Sequence, residues 1–118
     1  MIDDKKIMDA QRKFIEERDW AQFHNPKNLA MALSGEAGEL LELFRWLDFE
    51  QAKKVDREAV SEELADIFFI MMQFCDFFKI NLQEAFYKKL DKTAKNYPVE
   101  NAKGLCKKYT EYKESVNV

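Results

Sequence analysis

Hydrophobic residues recur at helical spacing along most of the chain, and only three glycines and two prolines interrupt the pattern. The first such stretch predicts an amphipathic helix over residues 4–20, followed by a connecting loop over residues 19–25. Its apolar positions are Ile7, Met8, Phe14 and Ile15. So few turn residues argue against a β-sandwich or barrel, which needs a turn every several residues.

The second predicted helix begins at Asn25-Pro26 and runs to about Leu47. Asparagine is a favourable N-cap, and proline is tolerated at the first helical position. Beyond this helix, residues 48–55 are predicted to form a polar link.

Two further helices complete the predicted fold. Asp56 caps a third helix that reaches about Phe78, and Asn81 caps a fourth that ends before Pro98, because proline disfavours helix at the residue before it. Residues 99–118 are polar and weakly patterned, so we expect a loop or a loosely held tail. The sequence thus predicts an all-α bundle of four helices over residues 1–98, with a C-terminal extension over 99–118.

Two pairs of acidic residues lie on the apolar sides of the second and third helices. Glu36 and Glu39 are three residues apart, as are Glu63 and Asp66, which places the members of each pair about 60° apart around the helix. A buried carboxylate must be paired, protonated or bound to a metal ion. If the helices bring all four together, their repulsion raises some of the pKa values unless a cation lies between them.

An oxygen-only set of ligands suits Mg²⁺ or Mn²⁺. The alternative is that these are ordinary surface acids on helices with broad apolar stripes, and a single pair would deserve that interpretation. Two pairs, both on apolar faces, favour the metal site. Glu42 and Glu62 lie further from the apolar stripes and are interpreted as solvated or supporting groups.

Composition excludes several other kinds of site. A di-iron carboxylate bundle needs Glu-x-x-His motifs, and the single histidine, His24, lies outside both acidic helices. The same shortage excludes a His/Cys zinc site and an HExxH protease, and no glycine-rich phosphate loop is present. A net charge of −3 disfavours a nucleic-acid partner.

Membrane insertion and secretion are also disfavoured. The longest apolar run, residues 67–74, is interrupted by Gln73 and is too short to span a bilayer. The N-terminal segment is charged and lacks the apolar core of a signal peptide. Cys75 and Cys106 lack a CxxC partner and are interpreted as reduced thiols, so we expect a cytoplasmic protein.

Three segments carry a more specific pattern: RDWAQFHNPKNLAMALSGEAGELLELFRW at residues 18–46, EELAD at 62–66, and KKLDKTAKNYPVENAKG at 88–104. Together they resemble the MazG-like all-α nucleotide pyrophosphohydrolases, most closely the dCTP pyrophosphatase branch. The ExxE and ExxD pairs are the family hallmark, and DW-QFH-P-NL with YPV is more specific to the branch. The resemblance covers about residues 18–104.

The resemblance implies metal-dependent hydrolysis of a nucleoside triphosphate to the monophosphate and pyrophosphate. It also implies the residues that do this. The metal ligands for Mg²⁺ or Mn²⁺ are Glu36, Glu39, Glu63 and Asp66. The base pocket contains Trp20, His24 and Trp46, and the phosphates meet Lys89, Thr93 and Tyr97. From the residues alone, Trp20 and His24 could equally form a hydrophobic plug between the first two helices.

Divalent ions would offset the repulsion between a triphosphate and four carboxylates, and a carboxylate left free of metal could act as the general base. Glu39 and Glu63 are the candidates for that base. Two positions depart from the branch, which usually carries asparagine at Thr93 and an aromatic hydroxyl at Ile70. These departures bear on substrate preference more than on the class of reaction.

The third helix has more apolar surface than one chain is expected to cover. Opposite its acidic side it carries Ala65, Phe68, Phe69 and Met72. A helix that is apolar almost all round must be buried all round, so we expect a homo-oligomer, with a tetramer preferred over a dimer. The resemblance implies the same, since the family forms dimers or dimers of dimers.

The leading hypothesis is therefore an enzyme that cleaves nucleoside triphosphates, with pyrimidine nucleotides such as dCTP as its substrates. The rival hypothesis is a non-catalytic helical interaction module that retains the fold. Stabilisation by Mg²⁺ separates the two, because an ion that binds only the folded site raises the melting temperature.

Overall fold

The computed structural model describes residues 2–111, and within that range the regular structure is helical, with no strand. This confirms the predicted all-α fold. The helices are α1 (Asp4–Glu17), α2 (Pro26–Glu42), α3 (Phe49–Ala52), α4 (Arg57–Phe78), α5 (Leu82–Asn96) and α6 (Val99–Ala102), and a 3₁₀ turn spans Ala21–Phe23. Four of these helices are long, and α3 and α6 are single turns.

The long helices begin at residues that suit an N-cap, and the three predicted caps are confirmed. The side chains of Asn25, Asp56 and Asn81 accept a hydrogen bond from the backbone N–H three residues further on, at 2.9, 3.2 and 3.1 Å. Asp3 caps α1 in the same way at 3.1 Å. Each such cap contributes about 1 kcal/mol to stability.

The end of α2 differs from the prediction. The helix stops at Glu42 and does not reach Leu47, because the next two amides bond to carbonyls three residues back, at 3.2 and 2.9 Å, and tighten the last turn. Asp48 and Gln51 then form a capping box that starts α3 inside the predicted polar link.

Two other boundaries also differ. The first helix ends at Glu17, short of Trp20, because Asp19 has a left-handed backbone with φ 52°. Residues 99–118 were expected to form a loop or a loosely held tail, and within that stretch Val99–Ala102 form the single helical turn α6 after Pro98. The part of that stretch over residues 112–118 lies outside the described residues.

The first compact unit ends at Ile80 and contains α1 to α4. Within it, α2 packs along α4 and α1 contacts α4. Leu29, near the start of α2, and Gln73, near the end of α4, line the same cavity. Glu36, later in α2, meets Glu63, earlier in α4, so the two helices run in opposite directions. The buried apolar side chains are Leu29, Ile70, Met72 and Cys75.

The face of α4 opposite the acids is partly covered within the chain. Met72, which was expected to need a second subunit, is buried here. Phe69 is half-buried, because the ring of Phe14 lies edge-on to it at 6.0 Å. Phe68 is half-buried and Ala65 is exposed.

The second compact unit begins at Asn81 and contains α5 and α6. Tyr97, which follows α5, packs edge-on against Tyr109 with ring centroids 5.8 Å apart. The predicted boundary between a domain and an extension at residue 98 stays a prediction. None of the helices in the described range has the length and apolar character needed to cross a membrane.

Candidate functional site

The four acidic residues selected from the sequence converge on one point. α2 supplies Glu36 and Glu39, and α4 supplies Glu63 and Asp66. One carboxylate oxygen from each residue lies within 4.8 Å of the others. The three-residue spacing puts each pair on one helix face, and the packing of α2 on α4 turns these faces together.

The members of the cluster differ in exposure. Glu36 and Glu63 are half-buried, whereas Glu39 and Asp66 are exposed. Burial is the main cause that raises the pKa of Glu36, and the neighbouring Glu39 carboxyl adds to it. Burial likewise raises the pKa of Glu63, and the charge of Glu39 is the next cause. The two inner groups are therefore costly to ionise without a cation.

The two inner carboxylates each leave a polar atom unsatisfied. The Oε2 atoms of Glu36 and Glu63 are buried and have no hydrogen-bond partner. No lysine, arginine or histidine among residues 2–111 lies within 4.0 Å of the four carboxylates, whereas Glu42 pairs with Arg45 at 2.6 Å. Unpaired carboxylate oxygens with no protein cation fit a bound metal ion, and an all-oxygen set suits a hard divalent ion. The cluster could thus hold a divalent metal.

A cavity of about 660 Å³ lies farther along the same two helices, within the first unit. Leu29 lies seven residues before Glu36 on α2, and Gln73 lies seven residues after Asp66 on α4, which corresponds to about 10 Å along each helix. The cavity is lined by Gln11, Arg12, Ile15, Glu16, Asp19, Ala21, His24, Leu29, Gln73, Asp76, Phe77 and Lys79.

The structure separates the three residues that the resemblance assigned to a base pocket. His24 is half-buried and lines the cavity, where its Nδ1 lies 2.8 Å from Gln73 Nε2. Trp20 is 44% exposed, does not line the cavity, and packs edge-on against Phe14 at 5.7 Å. His24 thus lines a cavity, whereas Trp20 packs against α1, and the choice between the pocket and the plug stays a prediction.

Trp46 lies beyond the C-terminal end of α2, whereas His24 precedes its N-terminal end. A helix of 17 residues is about 25 Å long, so His24 and Trp46 do not share a pocket within one chain. The Trp46 ring is 78% exposed, and the guanidinium of Arg45 lies over it at 4.3 Å. Its role in base binding stays a prediction.

The residues assigned to phosphate binding belong to the second unit. Lys89 and Thr93 are four residues apart on α5, and Tyr97 follows four residues later at its C-cap. Lys89 is exposed, and Thr93 and Tyr97 are half-buried. Their contacts with a phosphate stay a prediction. Ile70, at the other departure from the branch pattern, is buried in the core of the first unit.

Two cavity-lining features were missed from the sequence. Gln11 and Gln73 are buried polar residues, and the Gln11 amide nitrogen donates to the Phe69 carbonyl at 3.0 Å. An interruption of an apolar run, as at Gln73, could have indicated a buried polar group. The Arg12 guanidinium donates two hydrogen bonds to Asp76, and these residues are 64 positions apart, so no local pattern indicates the pair.

Residues 31–112 of the chain match the MazG-like family. The chain is 39% identical over 104 residues to dCTP pyrophosphatase 1 of Bos taurus and of Homo sapiens, covering 84% of this chain and 62% and 61% of those proteins. It therefore spans about three fifths of these relatives. A crystal structure of a pyrophosphatase from Archaeoglobus fulgidus superposes with a TM-score of 0.77 at 36% identity, over 80% of this chain and 91% of that one.

Proposed function

Because the chain belongs to the MazG-like family, we propose that it is a Mg²⁺-dependent pyrophosphohydrolase of nucleoside triphosphates. Its substrates are (deoxy)nucleoside triphosphates, with dCTP or a related pyrimidine nucleotide preferred, and its products are the monophosphate and pyrophosphate. The preference draws on the relatives named dCTP pyrophosphatase 1. The observation that carries the proposal is the convergence of four carboxylates, two of which have buried, unpartnered oxygens.

The four acids, Glu36, Glu39, Glu63 and Asp66, would hold the metal ion. When bound, Mg²⁺ or Mn²⁺ neutralises the charge of the triphosphate and polarises the phosphoryl group that is attacked. A triphosphate is repelled by the bare acids, so substrate and cation are expected to bind together. Glu39 or Glu63, whichever is left free of the metal, takes the proton from the attacking water. Exposure makes Glu39 accessible to water, whereas burial raises the pKa of Glu63.

The cavity farther along α2 and α4 is the proposed site for the nucleobase. It lies about 10 Å along α2 and α4 from the acids, a span that a nucleotide can bridge, and it contains His24. Trp20 and Trp46 contribute aromatic surface, with Trp46 supplied by another subunit because of its distance along α2. Lys89, Thr93 and Tyr97 contact the phosphates.

A homo-oligomer, with a tetramer preferred over a dimer, is part of this proposal. Large apolar side chains are exposed on both helices that carry the acids: Met31 is 64% exposed, Leu41 58% and Leu64 51%. Large apolar side chains that one chain leaves exposed are covered favourably by a second subunit. Sedimentation that gives only a 14.0 kDa species at micromolar concentration would contradict the oligomer.

The setting of the activity follows from its substrate. Nucleoside triphosphates are the material of the cytoplasmic nucleotide pool, and neither Cys75 nor Cys106 is in a disulfide. We therefore propose a cytoplasmic enzyme that limits or cleans that pool.

The decisive test is pyrophosphate release from dCTP, dTTP, dUTP, dATP and dGTP, each with and without Mg²⁺. We expect Glu36→Gln, Glu39→Gln, Glu63→Gln and Asp66→Asn each to lose most of the turnover. Glu62→Gln is the matched control, because it removes the same charge from α4 outside the cluster. No release from any nucleotide, or near-normal turnover in two of the four variants, would favour the non-catalytic module.

A further inference from the structure

Gln73 is one of two buried polar side chains in the described range, the other being Gln11. It lies on α4 within an otherwise apolar run and is 8% exposed. Burying an amide without partners is unfavourable, so its hydrogen bonds define what it does there. Its Nε2 lies 2.8 Å from Nδ1 of His24, and both residues line the cavity.

The chemistry of this contact fixes the direction of the bond. An amide nitrogen carries two hydrogens and no lone pair for accepting, so Gln73 Nε2 can only donate. Nδ1 of His24 therefore accepts, which requires it to be unprotonated. In a neutral imidazole the proton then lies on Nε2.

We infer that Gln73 is a specificity-determining positioning residue, which holds His24 in the Nε2–H form so that the imidazole offers a hydrogen-bond donor to the bound base. This inference rests on the proposed function, because the ligand of the cavity is taken to be a nucleobase. His24 contacts the base, and Gln73 acts through His24.

A donor at this position selects among bases by their chemistry. It pairs with a carbonyl oxygen, which cytosine, thymine, uracil and guanine carry and adenine lacks. An exocyclic amino group at the same place would set two donors against each other and leave both unpaired. We therefore expect a base whose carbonyl edge faces His24, and discrimination against adenine of about tenfold or more from this contact.

The tautomer can be measured directly, because His24 is the single histidine of the chain. The imidazole nitrogens of nitrogen-labelled, metal-free protein are observed by NMR, without nucleotide, at a mildly alkaline pH. We expect Nε2 protonated and Nδ1 bare in the wild type. Gln73→Glu replaces the donor by an acceptor and should move the proton to Nδ1. Gln11→Met is the matched control, since it removes a buried cavity amide that does not contact His24, and it should leave the tautomer unchanged.

The effect on specificity is measured with Gln73→Met, which keeps the length of the side chain and removes the donor. We expect the ratio of kcat/KM for dCTP over dATP to fall about tenfold, mainly through KM, because a base contact is similar in ground and transition states. Circular dichroism verifies that the variant is folded. If the variant does not fold, the NMR spectrum of the wild type still tests the tautomer.

The outcomes separate this inference from the proposed function. A wild-type imidazole protonated on Nδ1, or present as a mixture of tautomers, overturns the inference whatever the activity is. So does an unchanged dCTP to dATP ratio in folded Gln73→Met. If the wild type releases no pyrophosphate from any nucleotide, the proposed function fails, although the tautomer can still be as expected.

Discussion

Replacing Glu63 by glutamine should make the protein lose its response to Mg²⁺ without making the metal-free protein less stable. The amide keeps the shape of the side chain and removes one of four negative charges whose oxygens lie within 4.8 Å. In the wild type without metal, Glu63 is held among like charges with a buried oxygen that has no partner. Neutralising it removes the repulsion, so the metal-free melting temperature should equal or exceed that of the wild type.

The size of the metal effect follows from linkage between binding and folding. An ion at one hundred times its dissociation constant stabilises the folded state by about 2.7 kcal/mol. For a chain of 118 residues, 1 kcal/mol corresponds to about 4 °C in melting temperature, so saturating Mg²⁺ should raise Tm by about 10 °C. Glu63→Gln should reduce that rise to within about 2 °C of zero, since a weakened site no longer saturates at the same concentration.

The pH dependence of the metal-free protein provides a second measure of the same site. The pKa values of Glu36 and Glu63 are raised above the ordinary 4.5, so the folded state binds protons more tightly than the unfolded state. The stability that this contributes is present below pH 4.5 and is lost as the pH rises through the raised values. Glu63→Gln should remove its share of this slope, and excess Mg²⁺ should oppose the slope, because ligands bind metal when ionised.

The assay is thermal unfolding by circular dichroism at several pH values, with and without Mg²⁺. Glu62→Gln should retain the full rise in Tm, because Glu62 lies outside the cluster. A full rise in Glu63→Gln would show that the ion binds elsewhere, and no rise in the wild type, even with a nucleotide present, would remove the metal site altogether.

Three further predictions test other parts of the first unit. Trp20→Ala should raise KM for dCTP by loss of a stacking contact worth about 1–3 kcal/mol; a lower Tm with unaltered KM would instead mean that Trp20 only packs against Phe14. Asp76→Asn should remove an acid-sensitive part of the stability, because Arg12 lowers the pKa of Asp76. The contribution of Asp76 is present above pH 3.8 and is lost as the pH falls through the lowered pKa, so equal acid unfolding curves for wild type and variant would contradict this. Lys79→Gly should leave stability unchanged or raise it by up to about 1 kcal/mol, because Lys79 has a left-handed backbone with φ 56°, and clear destabilisation in urea unfolding would refute that reasoning.

Local sequence signals predicted the long helices well. Asn25, Asp56 and Asn81 cap helices because their side chains bond to amides three residues away, and such a contact depends on neighbours in sequence alone. The end of α2 was misplaced because two local preferences compete there. A tightened last turn and the capping box at Asp48 outweigh the apolar pattern that continues to Leu47.

The acidic cluster could be predicted because helical spacing and burial both depend on regular geometry. When two apolar helix faces pack, acidic pairs at three-residue spacing on those faces are brought close to each other. The cavity could not be predicted in the same way. Its Arg12–Asp76 ion pair and its His24–Gln73 hydrogen bond join residues 64 and 49 positions apart, and only the folded chain brings them together.

The placement of the acids on α2 and α4 has an evolutionary consequence. The cluster rests on two packed helices, whereas much of the cavity wall comes from α1 and the 3₁₀ turn that follows it. Substitutions in that wall can alter the ligand that fits while leaving the four carboxylates in place, because α2 and α4 hold the carboxylates through their own packing. On the proposed function, descendants of one ancestral chain could therefore come to prefer different bases through changes near residues 11–24, while the four acids keep their common role.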